Sequence, residues 1–124
     1  MSWVDIGIDS RKSAQLLREN HPRSCVSRAY YAAFSVINER LFAHASPPPK
    51  YETHAHAKLP DLIEKHLFRK NSKLRNSLRT AIKRLYNARL VADYRSSRTV
   101  DRSVALGALR DAKAIFAMIG VNDA

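Results

Sequence analysis

The chain has 124 residues, of which 45% are hydrophobic. This length suits one helical domain over residues 1–124 with a buried core. The longest mostly apolar run, residues 29–34, is far shorter than the roughly 18 residues of a membrane span, so no membrane partner is expected. The single cysteine, Cys25, excludes an internal disulfide and favours a small buried residue in a reducing, cytoplasmic protein.

Charge is the strongest feature of the composition. Lysine and arginine number 22 against 11 acidic residues, which gives a formal net charge of +11. Such a balance favours a polyanionic partner, above all RNA or DNA. A basic surface that meets an acidic protein is the alternative.

Hydrophobic spacing predicts α-helices along the whole chain. Asp9 or Ser10 is expected to cap a first helix that runs to about Asn20. A second helix, at about 23–44, is apolar on most sides and is therefore expected at the centre of the bundle. Three consecutive prolines in the segment 46–52 predict a stiff loop after it.

Three further helices are predicted in the second half. Thr53 is expected to cap a helix at about 54–69, which Pro60 either kinks or delays until Lys58. Asn71 or Ser72 opens the longest helix, to about Arg95. A last helix, capped by Thr99 or Asp101, runs to Gly120. The fold class is therefore all-α: an up-and-down bundle of four main helices plus a short one.

No metal or cofactor site is predicted. His54 and His56 are two residues apart and point to different sides of a helix, so they share a metal ion poorly. His66, which has apolar neighbours, is expected in the core or at an interface.

The fourth helix carries a basic ridge, defined as Arg75, Arg79, Lys83 and the flanking Arg84. The first three recur every four residues, opposite the apolar stripe of that helix. This arrangement favours contact with nucleic-acid phosphates without sequence reading. A solvated helix face is the plainer interpretation.

Arg89 falls inside the apolar stripe of the same helix, with Asp93 one turn later. Arginine is rarely buried unless it is paired. The pair is either a lock between helices or a guanidinium that holds a phosphate, and the spacing alone leaves both open. Tyr86, Leu90 and Tyr94 add an apolar end to the helix, which predicts a symmetric homodimer.

Three segments together resemble HEPN domains: SRAYYAAFSVINERL (27–41), THAHAKLPDLIEKHL (53–67) and LYNARLVADY (85–94). The likeness covers about residues 9–119 and is greatest to small stand-alone members with an AYYAAF helix and an R-x-x-A-D-Y helix. It implies a dimerising helical bundle. In many such proteins an arginine and a histidine four to six residues later form a metal-independent ribonuclease site across the dimer.

The resemblance also implies a toxin–antitoxin or phage-defence role, with a nucleotidyltransferase antitoxin that adenylylates a tyrosine beside the motif histidine. Here Arg89 matches the motif arginine and Tyr94 the tyrosine, but no histidine follows Arg89. Asp93 is a poor acid at neutral pH, so His54 is the first candidate to replace the histidine. Two functions follow: a HEPN protein that acts on RNA through Arg89, or a non-catalytic dimeric subunit that binds nucleotide or a nucleotidyltransferase.

Overall fold

The computed structural model describes residues 2–44 and 56–122. Over these residues the chain forms helices and no strand. The helices are α1 (Trp3–Leu17), α2 (Pro22–His44), α3 (Leu59–His66), α4 (Ser72–Tyr94) and α5 (Arg102–Ile119), and a 3-10 turn (His56–Lys58) precedes α3. The predicted all-α bundle is confirmed. None of the described helices combines the length and the apolar character that a membrane crossing requires.

Helix α2 lies at the centre of the bundle, as its composition predicts. It packs against α1, α4 and α5, and every residue from Ala32 to Asn38 is buried. Tyr30 and Phe34 are among the largest fully buried side chains. Burying a large apolar side chain stabilises a fold by roughly 1.5–3 kcal/mol, so α2 organises the core.

The predicted start of α1 at Asp9 or Ser10 is wrong, and the helix ends at Leu17, before the predicted Asn20. The helix begins at Trp3, because Ser2 and Asp5 form a capping box in which the Asp5 amide donates to Ser2 Oγ at 3.1 Å. Gly7 lies inside the helix, where α1 approaches α2 closely. A Cβ at this position would stand 3.0 Å from the Ala32 carbonyl oxygen. Ser10 is buried in the helix and caps nothing.

Helix α3 follows the second of the two predicted alternatives and is shorter than expected. The residues from His56 form a 3-10 turn, and the α-helix begins at Leu59 with Pro60 in its first turn, where proline is tolerated. The helix ends at His66, before the predicted residue 69, and Phe68 takes a left-handed backbone conformation with φ of 50°. The predicted cap Thr53 and the proline-rich segment lie outside the described residues.

Local caps fix the ends of α4 and α5 as predicted. Asn71 Oδ1 accepts from the Leu74 amide, and the Asp101 carboxylate accepts from the Val104 amide, each at 3.1 Å. Gly120 ends α5 with φ of 86°. Cys25 is buried at the start of α2, as expected, and burial raises the pKa of its thiol to about 11.

Candidate functional site

Arg89 lies at the junction of α4 and α2, with its side chain 20% exposed. Its Nε donates to Asp93 Oδ2 at 2.9 Å, so the predicted pair one turn apart is present. The same carboxylate oxygen accepts from Ser27 Oγ on α2 at 3.1 Å. Asp93 therefore orients Arg89 and also connects the two helices.

The guanidinium of Arg89 stands between two tyrosine rings. Its Cζ is 5.8 Å from the ring centre of the buried Tyr30 and 5.4 Å from that of Tyr94. Tyr94 is 68% exposed, so one side of the guanidinium borders the surface. Within the described ranges no group accepts a hydrogen bond from Arg89 Nη1 or Nη2. These two nitrogens are directed donors of the kind that bind phosphate oxygens in pairs.

His56, in the 3-10 turn, reaches the same tyrosine. Its Nδ1 is 2.7 Å from Tyr30 Oη, and its ring lies 4.2 Å from the ring centre of Phe34. Burial, together with the positive charge of Arg89, lowers the pKa of His56 below its usual value of 6.5. Burial raises the pKa of Tyr30 far above its usual range, so its hydroxyl stays protonated.

This arrangement leaves the second ring nitrogen of His56 available for proton transfer. At neutral pH the imidazole is uncharged. When Nδ1 donates its proton to Tyr30 Oη, Nε2 carries a lone pair, and no described residue hydrogen-bonds to Nε2. The structure thus brings a neutral histidine and an arginine with unused donors into contact with the same tyrosine.

The proposed replacement histidine, His54, lies outside the described residues, whereas His56 lies in the site. Sequence reasoning weighed His56 only as a metal ligand. Its position depends on packing against Tyr30 and Phe34, two aromatic residues one turn apart on α2. The only local signal was that Tyr30 and Phe34, four residues apart, lie on one face of α2.

Three residues of the basic ridge have partners inside the bundle. Arg75 and Arg79 both pair with Glu64 of α3, at 3.2 and 3.1 Å. Arg84 makes a two-point contact with Asp111 of α5, at 2.9 and 2.6 Å, which raises the pKa of Arg84. Lys83 is exposed, and no residue in the described part of the chain pairs with it. In residues 2–44 and 56–122, no three His, Cys, Asp or Glu side chains are grouped to hold a metal ion.

Fold and site together define a small, basic, all-helical domain whose polar cluster joins an arginine of the fourth helix to a histidine from outside that helix. Comparison with protein-family models matches the HEPN domain over residues 1–122. The chain therefore belongs to the HEPN family, and this membership supports a role of the general RNA-related or defence type. No significant match was found among curated proteins or solved structures.

Proposed function

We propose that this HEPN domain binds single-stranded RNA and cleaves it without a metal ion, as part of a cytoplasmic toxin–antitoxin or phage-defence system. The observation that carries the proposal is that His56 and Arg89 both contact Tyr30, His56 through a 2.7 Å contact to its hydroxyl and Arg89 with Cζ 5.8 Å from its ring centre. The site has both a neutral acid–base group, His56, and a hydrogen-bond donor to phosphate, Arg89, although no histidine follows Arg89 in the sequence.

The chemistry is an internal transfer within the RNA. His56 Nε2 takes the proton of a ribose 2′-hydroxyl as the 2′-oxygen attacks the neighbouring phosphorus. The bond from phosphorus to the 5′-oxygen breaks, and that oxygen receives the proton from the imidazole. The products are a 2′,3′-cyclic phosphate and a 5′-hydroxyl end. Arg89 Nη1 and Nη2 hold the phosphate oxygens, whose negative charge increases in the transition state.

Asp93 and Tyr94 have supporting roles in this scheme. Asp93 holds Arg89 Nε through its 2.9 Å bond, so the two terminal nitrogens keep a fixed direction. Tyr94, exposed beside the guanidinium, offers an aromatic face for an RNA base. It is also the residue that an antitoxin of the nucleotidyltransferase type would modify, and an exposed hydroxyl beside Arg89 is accessible to such a partner.

Incubation of purified protein with RNA in EDTA tests the proposal. The parent chain should produce fragments with 2′,3′-cyclic phosphate ends, and His56→Gln should not. Glutamine keeps a polar partner for Tyr30, but its amide cannot act as a general acid or base at neutral pH. The matched control is His66→Gln on α3, outside the site. Equal cleavage by the His56→Gln protein would contradict the assigned role of His56.

The second candidate is a non-catalytic dimeric subunit that binds nucleotide or a nucleotidyltransferase partner. Exposed aromatic rings beside the site favour it: Tyr31 on α2 is 39% exposed and Tyr94 on α4 is 68% exposed. We propose that these helices form a symmetric homodimer interface. Light scattering should report a dimer at micromolar concentration, and a monomer would count against it. Intact RNA in EDTA, together with retained binding, would favour this second function.

A further inference from the structure

A cavity of about 260 Å³ opens directly beside the Arg89–His56 site. The 3-10 turn, the start of α3 and the second half of α4 form its walls, through His56, Pro60, Ile82, Lys83, Tyr86 and Asn87. His56 and Tyr86 also contact Tyr30, with ring centres 5.5 and 5.6 Å away. The cavity and the proposed cleavage site therefore share His56, and Tyr86 connects the cavity to Tyr30.

The walls combine flat apolar surfaces with two polar groups at the rim. Ile82 is buried and Pro60 half-buried, whereas Lys83 and Asn87 are exposed. The Pro60 side of the cavity is held in place, because Arg79 Nε donates to the Pro60 carbonyl at 3.2 Å and Arg79 also pairs with Glu64. This bond gives Arg79 a structural purpose, although the sequence favoured it as a phosphate contact.

The size and chemistry of the cavity fit a single nucleobase. Pockets for drug-sized ligands begin at about 300 Å³, so this one suits a smaller, flat group. Single-stranded RNA is recognised by stacking of bases on aromatic rings and by hydrogen bonds to base edges. Tyr86 and His56 supply the rings, Asn87 an amide with both donor and acceptor, and Lys83 a cation for the attached phosphate.

We propose that this cavity is a base-binding subsite that takes an adenine next to the phosphate held by Arg89; the assignment to RNA rests on the proposed function. The Asn87 amide needs a donor beside an acceptor. Adenine presents that pair on two edges, N6–H with N7 and N6–H with N1. Guanine presents only acceptors on its N7 edge, and its pair of O6 and N1–H on the other edge lies beside N2–H, a further donor that needs its own partner. Cytosine and uracil also present a donor beside an acceptor, but they stack over less area.

The test measures binding of short, labelled 2′-O-methyl oligoadenylate, oligouridylate and oligocytidylate by fluorescence anisotropy. The blocked 2′-oxygen prevents cleavage, so binding is read alone. The parent chain should bind oligoadenylate about tenfold more tightly than the other two, within the range of one stacked and hydrogen-bonded base. Asn87→Leu should reduce this preference severalfold, to what stacking alone gives, and leave oligouridylate affinity within twofold. The matched control is Asn76→Leu, an exposed asparagine of α4 that does not line this cavity.

The outcomes separate the subsite from the proposed function. Equal affinity of the parent chain for the three oligonucleotides, a preference for another base, or a preference that Asn87→Leu leaves undiminished would overturn the adenine subsite. Arg89→Met should weaken binding of all three alike. If it leaves them unchanged while Asn87→Leu reduces the preference severalfold, the subsite stands and the phosphate role of Arg89 fails.

Adenosine monophosphate as a competitor distinguishes the two possible sources of the base. Competition that is weak or undetectable fits an adenine within RNA, because the flanking phosphates then contribute much of the affinity. Adenosine monophosphate that binds the parent chain more tightly than oligoadenylate, and loses binding in Asn87→Leu, would make the ligand a free nucleotide and overturn the assignment to RNA.

Discussion

Helix α4 uses Arg89, near its end, in the opposite way to the arginines that precede it. In the first half, Arg75 and Arg79 point to α3 and share the carboxylate of Glu64, with carbonyl oxygens accepting further hydrogen bonds. In the second half, Arg89 uses Nε for Asp93 and leaves Nη1 and Nη2 without an acceptor among the described residues. Arg84, early in the second half, also pairs with a neighbouring helix, through Asp111 of α5. The arginines before Arg89 therefore hold the bundle together, and Arg89 presents a charge.

The contrast shows that the number of arginines on a helix face does not measure its capacity to bind phosphate. An arginine whose donors are satisfied inside the fold contributes long-range charge but no directed hydrogen bonds. The Arg89 side chain is 20% exposed and that of Arg84 is 61% exposed. Arg89 nevertheless uses only Nε within the described residues, whereas Arg84 uses both Nε and Nη2. Substitutions at Arg89 and at Arg79 test the two uses of arginine separately.

The largest effect is expected from the double change Arg89→Met with Asp93→Leu. The pair is partly exposed, with the two side chains 20% and 28% accessible, so its loss should change the free energy of unfolding by no more than about 1 kcal/mol and the protein should still fold. RNA cleavage should fall by about 10²–10³-fold, the usual cost of losing one preorganised donor to the transition state. The thermal midpoint and the cleavage rate in EDTA measure the two effects.

The double variant also decides whether Arg89 is only a lock between helices. For such a lock, the variant would melt at a lower temperature and remain as active as the parent. Cell growth during expression of the protein without any partner is a second measurement. If the parent is toxic and the stable double variant is harmless, the toxicity depends on Arg89. Ser27, which loses its bond to Asp93, is half-buried and keeps access to water.

A smaller effect, on stability, is expected from Arg79→Met in the first half. The change removes the ion pair with Glu64 and the hydrogen bond to the Pro60 carbonyl, both partly exposed. We expect the free energy of unfolding to fall by about 1 kcal/mol in urea denaturation. Oligouridylate affinity should change by less than twofold. A large loss of affinity at unchanged stability would return Arg79 to the phosphate-binding residues.

Much of the fold was predictable because it depends on neighbours in the chain. Asn71 and Asp101 were identified as caps from residue type and position, and Gly120 as the end of α5. The start of α1 was not, because Gly7 disfavours a helix locally. The reason for this glycine, close approach to Ala32, exists only after α1 packs on α2.

The candidate site was likewise predictable only where it depends on residues close together in the chain. Arg89 and Asp93 were predictable as a pair because residues four apart meet on any helix. The contribution of His56 was not, because it comes from another segment and contacts α2 through Tyr30 and Phe34. The use of Glu64 by two arginines of the basic ridge also required the packing of α3 on α4.

Lys83 offers a third comparison, since it is the ridge residue that borders the site without a described partner. Lys83→Gln should leave the thermal midpoint unchanged and weaken binding of all RNAs alike, by severalfold at low salt. The slope of log affinity against log salt should decrease by about 1, the value for one lost phosphate contact. An unchanged salt slope would exclude Lys83 from phosphate contact.

The smallest effect concerns the response of stability to pH, and it tests whether His56 is held neutral beside Arg89. In the folded chain, burial and the Arg89 charge lower the pKa of His56 below its usual value of 6.5. The unfolded chain then binds a proton at a higher pH than the folded chain does. The contribution of His56 to stability is therefore complete above pH 6.5 and is lost as the pH falls from 6.5 toward the lowered pKa.

Thermal midpoints at pH 7.5 and 5.5 should differ less in His56→Gln than in the parent. His21→Gln, a change at an exposed histidine before α2, should keep the parental difference. A His56→Gln protein with the full parental pH response would show that the folded chain does not hold this imidazole neutral. The argument that His56 is uncharged and can act as the general base in RNA cleavage would then fail. The proposed contact of Arg89 with phosphate would be unaffected.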